Sequence, residues 1–314
     1  MPNLQNRTLR QIHLGGGTPN FLSASSLEQL LEPMLSDSSI ADEGFEASIE
    51  VDPRRCQLDQ IKSLEKLGFN RLSIGVQDFN LEVQKLINRI QPFEEVKKVT
   101  NWGRSNGMNS VNFDLIYGLP KQTLDLFKKT IEQTLILKPD RIALYSLAIV
   151  PWIKPSQKLF KDEDLPKGVE KRALYEYART VLLAEGYIEV GMDHFALPSD
   201  SMAKALADKS LHRNFMGYTC KPTDVLLGLG VSSISETPDC FHQNEKVLTL
   251  YQDKISKGQV PTLRGHKLNE KDVYYRKKVL KFMTQLEVEI DDSTQKEDVA
   301  VSYTHLTLPT KRIV

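Results

Sequence analysis

Three polar side chains sit where an apolar run would not normally place them. Glu50, Gln77 and Asp114 each lie inside a short run of apolar residues: Ser-Ile-Glu-Val-Asp-Pro at 48–53, Leu-Ser-Ile-Gly-Val-Gln at 72–77 and Phe-Asp-Leu-Ile-Tyr-Gly at 113–118. An unpaired polar group among such residues is costly, so each needs a partner. A ligand with amino, carboxylate and hydroxyl groups would supply one. A fourth run, Gln11 to Leu14, stops abruptly at Gly15-Gly16-Gly17-Thr18-Pro19. Without Cβ atoms, these glycines let backbone N–H and C=O groups approach a small molecule, though they would equally serve as a tight turn into a helix. Asp52 and Asp78 end two of the runs and read as caps for the helices that follow. His194, beside Asp193, is of a type that moves protons or touches substrate, though a lone histidine is more often structural. The stretch 211–219 is rich in hydrogen-bonding and aromatic residues. Its Arg213 suits a carboxylate, and the plain alternative is a polar loop.

These residues must be held by regular elements. Apolar runs at 11–14, 45–52, 71–78, 110–117 and 141–148 read as strands, and 187–196 as a sixth. Between them, helical spacing predicts helices after Ser23, at 58–67, 80–88, 93–105, 123–137 and 168–185, several closed by glycine. The repeat of about 30 residues predicts parallel strands with crossover helices outside them. No strand is read as alternating cleanly, as fits strands covered on both faces. Five such units favour a partial or full barrel, whose chemistry gathers at the carboxyl ends of the strands. Residues 152–165 read as an irregular connector. Gly228-Leu229-Gly230 lacks the helix of a dinucleotide fingerprint. Helices are expected at 245–256 and 268–286.

Composition narrows the class. The 314 residues carry 41 Lys+Arg against 41 Asp+Glu, so net charge does not favour nucleic acid. No apolar run approaches the roughly 20 residues of a membrane span. Cys56, Cys220 and Cys240 are isolated, which argues for a reducing, cytoplasmic setting and gives no local metal motif.

Six motifs together resemble one known family, the oxygen-independent coproporphyrinogen III oxidases of the radical S-adenosylmethionine (SAM) superfamily. They are Gly-Gly-Gly-Thr-Pro at 15–19, Ser-Ile-Glu-Val-Asp-Pro at 48–53, Asn-Arg-Leu-Ser-Ile-Gly-Val-Gln-Asp-Phe at 70–79, Asp-Leu-Ile-Tyr-Gly-Leu-Pro at 114–120, Gly-Met-Asp-His-Phe-Ala at 191–196 and His-Arg-Asn-Phe-Met-Gly-Tyr-Thr at 212–219. The first four are shared with a haem-chaperone branch; the last two resemble the oxidases. The resemblance implies a (β/α)6 radical SAM barrel, two SAM molecules and a 4Fe–4S cluster. It implies that coproporphyrinogen III becomes protoporphyrinogen IX by oxidative decarboxylation of two propionates, with an external electron donor. It places Gly16, Gly17, Thr18, Glu50, Gln77, Arg89, Asp114, Ala148 and Ile234 at the SAM sites. Arg89 and Ile234 come from the resemblance alone. His194 and Arg213 are assigned to substrate, and no residue is assigned as catalytic.

The chain also departs from the family. The C-x3-C-x2-C cluster motif is expected upstream of Met1, in a first β/α unit that is missing here, so no metal ligand is assigned. The expected organisation is a truncated α/β barrel at 1–197, a substrate- and SAM-site segment at 198–261 and the start of a helical C-terminal region at 262–300. Residues 301–314 follow no core pattern and read as a non-native, adapter-like tail. The chain is expected to be a cytoplasmic monomer with no nucleic-acid or membrane partner, and inactive without the cluster. A non-catalytic haem chaperone is the second reading. A barrel lyase or aldolase using Asp114 or His194 is the third.

Overall fold

The computed structural model describes residues 7–36, 39–41, 44–152 and 155–287. The tail at 301–314 and the residues 288–300 of the expected helical region lie outside the described residues. The chain divides into two compact units, Met1–Ala203 and Lys204–Val314.

The first unit opens with β1 (Thr8–Leu9) and β2 (Gln11–Leu14), followed by α1 (Ala24–Ser36) and β3 (Ser39–Ile40), which pairs in parallel with β1. Strand–helix alternation then runs β4 (Glu46–Val51), α2 (Leu58–Lys66), β5 (Arg71–Gln77), α3 (Leu81–Leu86), α4 (Phe93–Ser105), β6 (Ser110–Tyr117), α5 (Leu124–Leu137), β7 (Arg141–Ser146) and α6 (Gly168–Ala184). β8 (Ile188–Val190) and β9 (His194–Ala196) follow, and the division between the units falls within α7 (Ser201–Ala207). One seven-stranded sheet holds the unit together, in the order β2-β4-β5-β6-β7-β9-β8. Pairing is parallel from β2 to β7, as the alternation demands. This is an α/β architecture of partial-barrel type.

Helix starts follow local chemistry. Thr123 caps α5 by accepting from the backbone N–H of Leu126, and Asn80 caps α3 by accepting from Glu82 and Val83. The helices bury one face against the sheet. Leu27, Ile61, Leu64, Val96, Phe127, Ile131 and Leu182 pack with Ile49, Leu72, Ile74, Phe113, Leu115 and Ile142, all essentially inaccessible. Each such side chain contributes about 1.5–3 kcal/mol on burial.

Two expectations are corrected here. Burial does alternate cleanly: Ala47, Ile49 and Val51 are buried under helices, while Glu46, Ser48 and Glu50 are not, and β5 repeats the pattern. The second face lines a polar lumen, so the two faces carry different chemistry. The sixth strand is also not one strand. Gly191, at φ +62°, turns the chain back, so β8 and β9 form a hairpin and β9 meets β7 antiparallel.

The second unit contains a hairpin of β10 (His212–Asn214) and β11 (Gly217–Thr219). It also contains a three-stranded antiparallel sheet of β12 (Ile234–Glu236), β13 (Cys240–Asn244) and β14 (Thr262–Lys267), with α8 (Leu248–Ser256) between the last two strands. α9 (Glu270–Gln285) starts at a reciprocal Asn269–Asp272 cap. Its Arg276 pairs with the buried Glu236 and lies over the Phe241 ring.

Candidate ligand site at the strand ends

The lumen face of the first unit is built in steps of two residues. His13 and Gly15, Ser48 and Glu50, Ser73 and Gly75, and Asn112 and Asp114 each share a face, because a strand's side chains alternate. Parallel register puts Glu50 beside Ser73, Gly75 beside Asp114, and Asp114 beside Ala143. Antiparallel pairing then puts Ala143 beside His194. Because β9 runs backwards, its first residue reaches the same end of the sheet as the last residues of the parallel strands.

Both oxygens of Glu50 are engaged. Its Oε2 accepts from the Gly16 N–H at 3.2 Å, and its Oε1 lies 3.4 Å from His13 Nε2. The His13 hydrogen bond, the imidazole's charge and the Gly16 N–H together hold this carboxyl below the usual range, against the effect of burial. Asp114 is shifted the other way. Burial pushes it up, and the charge of Glu50 adds to the shift, while Asn112, His194 and Ser73 oppose it. Asn112 Nδ2 donates to Asp114 Oδ1 at 2.9 Å, and Ser73 Oγ donates to Oδ2 at 3.3 Å.

β5 ends in a bulge between Gly75 and Gln77, and Gln77 adopts φ +67°, a left-handed conformation uncommon for a residue with a side chain. Arg89 follows α3. It donates from Nη2 to the Gly75 carbonyl at 2.9 Å and from Nε to Gln91 at 3.1 Å. Asp52 Oδ2 lies 3.9 Å from its guanidinium. Gln77, Arg89, Glu50 with Gly16, Asp114 and His194 therefore share one end of the sheet. Gly16 and Gly17 take φ +81° and +70°, which a Cβ would disfavour, and Thr18 follows them. His194 Nδ1 lies 2.6 Å from Asp193 Oδ1, with the Tyr145 ring edge-on at 6.0 Å. Ala148 lies just past β7, where its carbonyl accepts from Gln157 at 3.0 Å. Ile234 and Arg213 belong to the second unit. Arg213 lies 4.5 Å over the Tyr218 ring.

The two aspartates expected to cap helices do not. Asp52 accepts a forked pair of bonds from Arg54, at 2.9 and 2.6 Å, and Gln57 occupies the cap of α2. Asp78 is fully buried and accepts from Asn80 N at 2.6 Å, Gln122 Nε2 at 2.6 Å and Thr130 Oγ1 at 2.9 Å. It ties the end of β5 to α5 and the turn after β6. Four lumen residues lay outside the expected set: His13, Ser48, Ser73 and Asn112. His13, Ser48 and Asn112 stand two positions before Gly15, Glu50 and Asp114, and Ser73 stands four before Gln77; that even spacing along a strand is the signal that would have found them.

The sequence profile of the Radical SAM superfamily matches residues 3–134. The chain is 41% identical over 292 residues to the oxygen-independent coproporphyrinogen III oxidase of Synechocystis sp., covering 93% of this chain and 62% of that protein. With the same-named enzyme of Escherichia coli K12 it shares 42% over 275 residues, covering 88% of this chain and 60% of that one. The solved structure of coproporphyrinogen III oxidase (HemN) from Escherichia coli superimposes with a TM-score of 0.86 at 40% identity, covering 89% of this chain and 64% of that chain. Over about nine tenths of its length the chain is similar to the oxygen-independent coproporphyrinogen III oxidases, and its first part matches the radical SAM superfamily. It spans about three fifths of the length of these oxidases.

The radical SAM superfamily uses two cofactors, SAM and a 4Fe–4S cluster. The lumen residues fit the first: carboxylates for amino and hydroxyl groups, a guanidinium, and glycine backbone with open space where a side chain would stand at Gly16 and Gly17. The described cysteines do not fit the second. Cys56 is buried in the core with its thiol pushed up to about 12 by burial, the reverse of what thiolate ligation needs. Cys220 and Cys240 lie in the other unit. Among the described residues, no three His, Cys, Asp or Glu side chains converge to hold a metal.

Proposed function

We propose that this chain carries the SAM-facing lumen of an enzyme converting coproporphyrinogen III to protoporphyrinogen IX, by oxidative decarboxylation of two propionates in haem biosynthesis. The observation that carries this reading is the joint placement of Glu50, Gln77, Arg89, Asp114 and Gly16 at one end of the sheet, in a chain about 40% identical to the oxidases. When bound, SAM supplies the radical chemistry of the family. The protein's own residues bind and orient. Ionised Glu50, already fixed by Gly16 and His13, accepts from an amino or hydroxyl group. Asp114, with its pKa raised by burial, offers a second acceptor or, when protonated, a donor. Arg89 and Gln77 supply donors at the next strand end. Gly17, Thr18 and Ala148 are further proposed cofactor contacts of the first unit, and Ile234 is the one proposed for the second. His194 and Arg213 are the proposed substrate residues, with the guanidinium suited to a propionate.

We further place the enzyme in the cytoplasm, acting as a monomer with a separate electron donor. Among the described residues, no helix is long and apolar enough to cross a membrane. The oxidase names of the relatives do not favour the haem-chaperone reading.

The test is calorimetric binding of S-adenosylhomocysteine, the unreactive thioether of SAM, to the 314-residue chain. Saturable binding that Glu50→Gln and Asp114→Asn each weaken supports the reading. Wild-type binding by both variants would sink it.

A further inference from the structure

His13 lies on β2, on the same face as Gly15. Its two ring nitrogens bridge to the neighbouring strand: Nδ1 lies 2.8 Å from Ser48 Oγ, and Nε2 lies 3.4 Å from Glu50 Oε1. Parallel register explains why both are in reach. His13 pairs with Ser48, so Glu50 is one same-face step further along β4. The ring can lie along its own strand only because position 15 has no side chain. A Cβ on Gly15 would come within 2.5 Å of His13 Nε2 and 3.0 Å of Glu50 Oε1. Real Cβ atoms do not tolerate the first separation, so a side chain at 15 would drive the imidazole out. The triple glycine therefore does two things. Gly16 offers its N–H to Glu50 Oε2, and Gly15 leaves the seat through which His13 reaches Oε1.

We propose that His13, seated by Gly15 and anchored by Ser48, is a positioning residue that fixes the orientation and charge of Glu50 for ligand binding. This rests on the reading of Glu50 as a cofactor contact. A carboxylate held from both oxygens presents its remaining lone pairs in one direction, and loses less freedom when a ligand amine or hydroxyl arrives. The lowered pKa of Glu50 has the His13 hydrogen bond as its largest cause, which agrees with this arrangement. The ionisable groups facing Glu50 are His13 from β2 and Asp114 from β6, with Ser73 of β5 opposite it in the register. Arg89 faces Asp52 and Asp114 instead.

The test combines one measurement without ligand and one with it. Carbon-13 NMR follows the titration of the Glu50 carboxyl in the free chain, and calorimetry follows S-adenosylhomocysteine binding against pH. His13→Ala is expected to raise the Glu50 midpoint, weaken binding about tenfold, and move the acid limb of the binding profile to higher pH. His13→Gln, which keeps an N–H at the end of the side chain, is expected to recover most of the affinity. Gly15→Ala fills the seat and should reproduce the loss. Should His13→Ala not fold, Ser48→Ala releases Nδ1 without emptying position 13, and should move both readouts in the same direction. An unchanged Glu50 midpoint, or unchanged affinity in His13→Ala where Glu50→Gln abolishes binding, overturns the proposal while the cofactor site stands. Equal affinity of wild type and Glu50→Gln overturns the cofactor site, and the ligand role of His13 with it.

Discussion

Arg89 Nη2 donates to the carbonyl of Gly75 at 2.9 Å, and a Cβ on Gly75 would sit 2.8 Å from that same nitrogen. The missing side chain is what lets the guanidinium lie over the end of β5. Gln77 Nε2 borders the same space, at 3.0 Å from the ideal Cβ position.

Gly75→Ala should therefore displace the ends of two flexible side chains and leave the backbone in place. We expect S-adenosylhomocysteine affinity to fall about tenfold, with unfolding free energy changed by less than about 1.5 kcal/mol. Calorimetry and a urea titration measure the two. A collapse of stability with intact binding would contradict this account.

At the other end of the sheet, Arg141 Nε donates to Asp200 Oδ1 at 2.5 Å, with both side chains almost wholly buried, and Ser110 Oγ donates to Oδ2 at 2.8 Å. Removing one partner leaves an uncompensated buried charge. Asp200→Ala should cost about 3–5 kcal/mol, read as a lower urea midpoint with an unchanged slope. Asp200→Asn keeps an acceptor and should cost less.

Glu50 and Asp114 should give opposite pH dependences of stability. The folded pKa of Glu50 is depressed, so its contribution is present above its ordinary value of 4.5 and is lost as pH falls through the folded value. Asp114 is raised. Its contribution is complete below its ordinary value of 3.8 and is lost as pH rises through the folded value. Asp114→Asn is expected to remove a decline in stability that begins just above pH 3.8. Glu50→Gln should remove a gain on the acid side of pH 4.5. Denaturant midpoints across pH 3.5–7 for the two variants would show slopes changing in the same sense if this assignment were wrong.

Cys56 and Cys240 should differ in reactivity. Cys56 is buried and its thiol is pushed up to about 12, so it is neither accessible nor ionised at neutral pH. Cys240 is half-buried. Timed alkylation with peptide mapping should label Cys240 first and Cys56 only under unfolding conditions.

Much of the first unit was legible because its signals are local. α4 spans the residues that its periodicity marks, and Glu50, Gln77 and Asp114 stood out as polar residues inside apolar runs. The hairpin at 188–196 was not legible. Its turn is three residues inside a stretch that hydropathy reads as one strand, and only the backbone at Gly191 reveals the reversal. β14 is exposed along its whole length, so no apolar pattern announced it. His13 gives no local signal, because its partners lie 35 and 37 residues away, on a neighbouring strand. Asp78 looks like a cap in sequence because its true partners, Gln122 and Thr130, come from elements far along the chain.

The order β2-β4-β5-β6-β7 has a kinetic consequence. Each of these strands joins the strand just before it in the sheet, one crossover away (α3 and α4 together between β5 and β6), so assembly needs only modest loop closures at each step. The sheet can grow by accretion from any neighbouring pair, with the β8–β9 hairpin added as a locally formed piece. The lumen side chains then come together late. Neither Glu50 nor Asp114 has its full set of neighbours until several strands have docked, so substitutions there should change the unfolding rate more than the folding rate.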